Sequence, residues 1–220
     1  ETIRDYTRLF MGSGICEAAT QGIFNLEKNL RGPLLSNNTV EQSLMQWQDL
    51  EQKASPALMK NFRFQMCLLR AYYDAYVRRK LIHETALESE ARTILDAATP
   101  ETSGIAVLKA KMVLQQGQDE PVAPALKKKC YVLADSLYSS IGAQLTVEKH
   151  GAMPGRGNFI DNMDIPLNDA PWLMDQLNVL DKIADDEERA KQLHGMLHRT
   201  DPGPGGFYDH FGNPESNYRI

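Results

Sequence analysis

Arg63, Arg70, Tyr73 and Asp74 lie close enough along the chain that, on a helix, the two arginines and the aspartate share adjoining parts of one face with the tyrosine beside them. Guanidinium groups supply planar donors, and a tyrosine supplies an aromatic face with a hydroxyl. Together they are equipment for holding a polyhydroxylated or anionic ligand in a cleft. The same residues also admit a structural use, with Arg70 and Asp74 paired at i,i+4 and the tyrosines filling a core. Near the end of the chain, Tyr208, Asp209 and His210 place an aromatic platform, an acceptor and a titratable group side by side. A ligand site is therefore expected where an irregular segment at 150–169 and the aromatic tail from Phe207 to Phe211 meet the polar helix face, with Arg63, Arg70 and Asp74 as its floor. Docking of that tail as a structural clamp accounts for its aromatics equally well.

Other constellations carry less. His83-Glu84-Thr85-Ala86-Leu87-Glu88 begins like the helical zinc-protease motif, but Leu87 stands where the second histidine ligand is needed. Asp161, Asn162, Asp164 and Asp169 offer oxygen ligands, yet Trp172 occupies the place of the bidentate glutamate of an EF-hand and the central glycine is missing. A different calcium site and simple turn-forming roles both remain open for these residues. Gly12-Ser13-Gly14 lacks the strand that a nucleophile elbow requires, and Gly155-Arg156-Gly157 is too short for a phosphate loop. Paired carboxylates for glycoside hydrolysis are defined by their separation in space, so none is chosen from 29 acids. No catalytic residue, metal site or cofactor is assigned.

The elements that must position these groups are helical. No alternating strand pattern with a hairpin turn occurs. Ile3, Tyr6 and Phe10 mark a helix over 2–11 broken by Gly12, and Ile15, Ala19, Ile23 and Leu26 mark a second that Gly32-Pro33 ends. Asn38 and Glu41 form a capping-box pattern ahead of Leu44, Trp47 and Leu50. From Pro56 to about Ala98 there is no glycine and no further proline, which predicts one very long helix, or two joined by a kink near His83. Its apolar positions Leu58, Phe62, Met66, Leu69, Tyr73 and Tyr76 read as the packed face. Segments 105–115 and 125–145 should form an antiparallel pair. Helices near 171–183 and 186–198 follow the irregular stretch, and a Gly/Pro/aromatic tail begins at Asp201. The expected fold is an all-α multi-helix bundle, a single helical domain over 1–220, with one very long central helix.

Composition narrows the class. With 24 basic and 29 acidic residues the net charge is −5, so no overall positive field recruits nucleic acid or an anionic membrane. Charged residues interrupt every apolar run, so no membrane span is expected. Cys16, Cys67 and Cys130 are few and scattered, which reads as free buried thiols rather than a disulfide framework. The chain opens at Glu1 without an initiator methionine or leader, which points to a processed protein or a fragment of a larger one.

Several stretches carry a resemblance. Asp5-Tyr6-Thr7-Arg8-Leu9-Phe10-Met11-Gly12, Glu17-Ala18-Ala19 and Gly22-Ile23-Phe24-Asn25-Leu26-Glu27 resemble the helical region that follows the catalytic barrel in large, uncharacterised bacterial glycoside-hydrolase-like secreted proteins. Arg63-Phe64-Gln65, Arg70-Ala71-Tyr72-Tyr73-Asp74-Ala75-Tyr76 and Gly203-Pro204-Gly205-Gly206-Phe207-Tyr208-Asp209 resemble the same group. The resemblance implies a non-catalytic accessory domain of an exported carbohydrate-active protein, secreted or periplasmic. Its partners would then be the rest of the parent polypeptide and carbohydrate. The alternatives are a self-sufficient helical polysaccharide-active enzyme using Arg70 and Tyr73, and a helical scaffold for protein partners.

Overall fold

Glycine and proline set several of the helix ends. A computed structural model describes residues 1–119, 121–155 and 158–198, and among these every regular element is a helix. Helix α1 (Thr2–Met11) stops at Gly12, which adopts the positive φ that glycine tolerates without strain. Helices α2 (Cys16–Lys28) and α3 (Thr39–Lys53) flank Gly32-Pro33 and a 3-10 turn at Leu34–Ser36. A short α4 (Pro56–Met59) precedes α5 (Phe62–Asp96), the very long helix the breaker-free sequence requires. After a 3-10 turn at Pro100–Thr102 come α6 (Ser103–Asp119), α7 (Pro124–Ile141) and a four-residue α8 (Val147–His150). The irregular stretch near 150–169 contains a 3-10 turn at Asp161–Asp164, and α9 (Ala170–Leu180) and α10 (Asp186–Leu197) are the last helices among the described residues of this all-α fold. None of the helices is long and apolar enough, over the described residues, to cross a membrane.

The details differ from the sequence reading at several places. The segment from Pro56 is not one helix: Ser55 caps α4 by accepting from the Leu58 N–H, and Asn61 restarts the chain by accepting from the Arg63 N–H at 3.0 Å. The 35 residues of α5 then continue past His83 without interruption. The Asn38–Glu41 capping box does not form either. Asn38 Oδ1 accepts from Arg78 at 2.9 Å, and Glu41 accepts two hydrogen bonds from Arg79 at 2.8 and 3.1 Å. A guanidinium donor outcompetes a neutral backbone N–H for both acceptors. Finally, segments 105–115 and 125–145 belong to different packing units, so α6 and α7 are not a hairpin of one core.

Two compact units make up the chain. Among the described residues the first comprises Glu1–Arg79 and Ala123–Asp164, and the second Lys80–Val122 with residues 165–198, so α5 supplies residues to both. In the first unit α2 packs on α1 and α3. Trp47 of α3 is fully buried, with its ring 5.8 Å from that of Phe64 and its indole N–H donating to the Gly22 carbonyl at 3.3 Å. Gly22 permits that approach, because a Cβ there would lie 3.0 Å from the indole. The inward row of α5 runs through Phe64, Leu68, Ala71 and Ala75, with Leu69, Tyr72 and Tyr76 beside it. Of the expected row, Leu69 and Tyr76 are buried and the others are not. Met66 is 52% exposed and Phe62 and Tyr73 only half-buried, because the alanines mark the side of closest packing. On α1 the buried residues are likewise Thr7 and Met11, while Tyr6 is exposed. The Thr7 hydroxyl bonds the Thr20 hydroxyl at 2.7 Å and donates to the Cys16 carbonyl at 3.2 Å, fastening α1 to α2.

The second unit has its own apolar core. Ala91, Leu95, Val107, Ala110, Leu173, Leu177 and Leu193 are buried together, with Trp172 and Met196 packed partly against them. Asp185 caps α10 by accepting from the Glu188 N–H at 2.8 Å, and the acidic first turn suits that helix end as expected.

Candidate functional site

Arg70 and Asp74 form the i,i+4 pair that their spacing allows, at 2.8 and 2.9 Å, and Asp74 is only 5% exposed. The carboxylate is enclosed further by Asn29, the buried C-cap of α2, whose amide donates to Asp74 Oδ2 at 2.9 Å. Asn29 Oδ1 in turn accepts from Ser43 Oγ at 2.9 Å, so the network ties α2, α3 and α5 together. Burial pushes the Asp74 carboxyl above its ordinary range, against the opposing pull of Arg70 and the Asn29 hydrogen bond. Arg63 takes a different place: its guanidinium lies over the Phe10 ring at 3.9 Å and over the Phe62 ring at 4.3 Å. Tyr73 meets Phe159 edge to face at 5.0 Å, and burial pushes its phenol above the ordinary range.

That last contact brings Phe159 of the irregular segment onto α5, and a second contact joins the same two elements. Asp164 accepts from the Lys127 ammonium at 2.6 and 2.8 Å and from the Tyr76 hydroxyl at 3.4 Å. Asp161 accepts from the Val147 N–H at 2.8 Å and from Asn158. These two acids therefore hold loop and helix ends in place. Asp169 lies in the other unit, at the N-cap of α9. Tyr208, Asp209 and His210 lie outside the described residues, as does the whole aromatic tail.

Nearby, the nearly fully buried His150 is clamped from three sides. Its Nε2 bonds Asp135 at 3.0 Å, its Nδ1 bonds Thr146 Oγ1 at 3.2 Å, and Tyr138 stacks on the ring at 4.8 Å. Slight burial raises the Asp135 carboxyl, but Lys149 and His150 outweigh it and hold the group below the ordinary range. Among the described residues all three cysteines are free, with Cys16 and Cys130 buried. Burial pushes the Cys67 thiol up to about 12 and, aided by Asp74, that of Cys130 likewise to about 12, which leaves negligible thiolate for nucleophilic work.

In the second unit Glu84, the acid of the zinc-protease-like run, is committed internally. Lys80 pairs with it at 2.7 Å, and both side chains are nearly fully buried. Glu84 Oε2 also accepts from the Leu167 N–H at 2.8 Å, and Lys80 donates to the Ile165 carbonyl at 2.6 Å. Such a pair is stabilised because its hydrogen bonds are completed by backbone groups. It fixes the segment leading into α9. Leu87, in place of the missing ligand, packs against the apolar core.

Sequence reasoning missed one cluster. Asp96 at the end of α5, His194 in the last turn of α10 and His198 at its C-cap each direct one ligand-type atom into a common region, all within 4.8 Å of one another. His194 and His198 share one helix face at i,i+4, and their ring planes are nearly parallel, at 15°. The His-x-x-x-His spacing was the available signal, and the aspartate that completes it is distant in sequence. A second feature is apolar. Ile105, Leu108 and Met112 form a stripe along α6 in which each is more than half exposed, at 60%, 56% and 62%.

No protein-family model matches this chain, and neither a curated protein nor a solved structure is similar to it.

Proposed function

We propose that this chain is a non-catalytic helical accessory domain of a larger exported carbohydrate-active protein, secreted or periplasmic, which docks on an adjoining region of the same polypeptide. The α6 stripe of Ile105, Leu108 and Met112 carries the reading. It exposes an apolar face at helical spacing of the kind that buries against another protein surface. The carbohydrate context is supported by the resemblance of the segments 5–12, 63–65 and 70–76 to post-barrel helical regions. The fate of the polar groups fits a supporting role: Asp74 and Glu84 are buried and hydrogen-bonded internally, and neither thiol of Cys67 or Cys130 is activated.

The test compares the isolated chain with the polypeptide of its whole reading frame, by release of reducing ends from a panel of polysaccharides. The isolated chain should release none, the whole polypeptide should be active, and Leu108→Glu should loosen the domain from it under limited proteolysis. Activity of the isolated chain that survives repurification would overturn the non-catalytic reading. Inactivity of the whole polypeptide on every polysaccharide would overturn the carbohydrate assignment.

A further inference from the structure

We infer that Asp96, His194 and His198 form a binding site for a first-row divalent cation, zinc above all, that clasps the end of α5 to the end of α10. The donor set is two imidazole nitrogens and one carboxylate oxygen, which suits borderline cations such as zinc and disfavours magnesium and calcium, whose shells are built of oxygen. The spacing is close to what a metal requires. Two ligands of a tetrahedral zinc, each about 2.1 Å from the ion, lie about 3.4 Å apart. The atoms here lie within 4.8 Å of one another, so rotation of exposed side chains closes the difference without moving the backbone. Asp96 and His198 are exposed, so that rotation is free and the ion has an open approach.

Two further features favour a cation at this position. Both α5 and α10 end here, and the dipoles of two helix C-termini give the region a negative field. His194 is also oriented: its Nε2 bonds the Ala98 carbonyl at 3.2 Å, and a carbonyl can only accept, so Nε2 carries a proton and Nδ1 is the nitrogen left to ligate a cation. A backbone carbonyl fixing the tautomer of a ligating histidine is the usual outer arrangement around a protein-bound zinc. Three protein ligands leave at least one coordination position for water.

The experiment uses the whole chain with its purification tag removed. Zinc is titrated by calorimetry, cobalt is followed by its visible spectrum, and the same is done for His198→Ala and Asp96→Asn. His198 is the better histidine to replace, because it is exposed at the helix end and its loss leaves the Ala98 contact of His194 intact. The expected result is one zinc per chain, a rise in Tm with zinc, and binding weakened by more than about ten-fold in each variant, the loss that even outer partners of a metal produce. Circular dichroism should show both variants folded. No zinc binding to the parent chain, or single-site binding of unchanged strength in both variants, would overturn the site.

Discussion

Asn29 donates to Asp74 across 2.9 Å, and this one hydrogen bond joins the C-terminal cap of α2 to the middle of α5. The two residues belong to segments that no sequence pattern links, yet each is almost completely buried and each depends on the other. Replacing Asn29 with Ala removes one partner of a buried carboxylate and the acceptor of Ser43. The expected cost is about 1 to 3 kcal/mol, the penalty for leaving a buried polar group unsatisfied. Urea denaturation measures it. A variant as stable as the parent would mean that Arg70 alone satisfies the carboxylate.

The packing phase of α5 can be tested with two neighbours on that helix. Leu69 is buried and Met66 is half exposed. Leu69→Ala should cost about 2 to 5 kcal/mol through lost burial and a residual cavity. Met66→Ala should stay within about 0.5 kcal/mol of the parent. Equal losses of Tm for the two variants would put the inward face of the helix elsewhere.

Two helical glycines should respond with opposite signs to the same change. At Gly22 a Cβ would sit 3.0 Å from the fully buried Trp47 ring, which cannot retreat. Gly22→Ala should destabilise, because overpacking of about 1 to 3 kcal/mol exceeds the gain in helix propensity of about 1 kcal/mol. At Gly195, in α10, a Cβ would meet nothing within 4 Å. Gly195→Ala should therefore stabilise by up to about 1 kcal/mol. Thermal melts of both variants decide the matter, and a shared sign would refute one of the two environments.

The acid dependence follows from Glu41 and Asp74, which act in opposite directions. The hydrogen bond from Arg79 holds Glu41 below its ordinary range; burial opposes it, and the charges of Arg79 and Arg78 add to it. A carboxyl depressed on folding contributes stability above its unfolded pKa and loses it as the pH falls through the folded value. Glu41→Gln should cost about 1 kcal/mol or less at neutral pH, and the difference should shrink on acidification below the ordinary carboxylate range. Asp74 is raised by burial, so its folded form binds the proton first, and its contribution falls as pH rises between the unfolded and folded values. The margin of the parent over Asp74→Asn should accordingly grow as the pH drops through that window. Denaturant midpoints across a pH series test both, and margins flat with pH would remove the assigned ionisations.

Helix ends such as that at Gly12 were legible because glycine and proline act through their own backbone, whatever surrounds them, whereas the break between α4 and α5 at Asn61 has no such breaker and was not. The inward face of α5 was legible only in part: Leu69 and Tyr76 are buried as read, but apolar residues occur on more than one side of the helix, and large side chains such as Met66 masked the signal of Ala71 and Ala75. Arg70 with Asp74 was readable from spacing alone, whereas Asn29 enters that site through tertiary packing. The capping box at Asn38 and Glu41 failed for a related reason: Arg78 and Arg79, distant in sequence, claim both acceptors. The Asp96, His194 and His198 cluster is likewise half local, two histidines one turn apart, and half a product of the fold.

The chain has two tryptophans, and they fall in different units: Trp47 lies within the core that includes Phe64, and Trp172 against the core that includes Leu173. Intrinsic fluorescence is therefore an address for each half of the molecule. A Trp47→Phe variant leaves emission from the second unit alone, and Trp172→Phe leaves that of the first. Denaturation curves of the two single-emitter proteins would report whether the halves melt as one cooperative body or in succession.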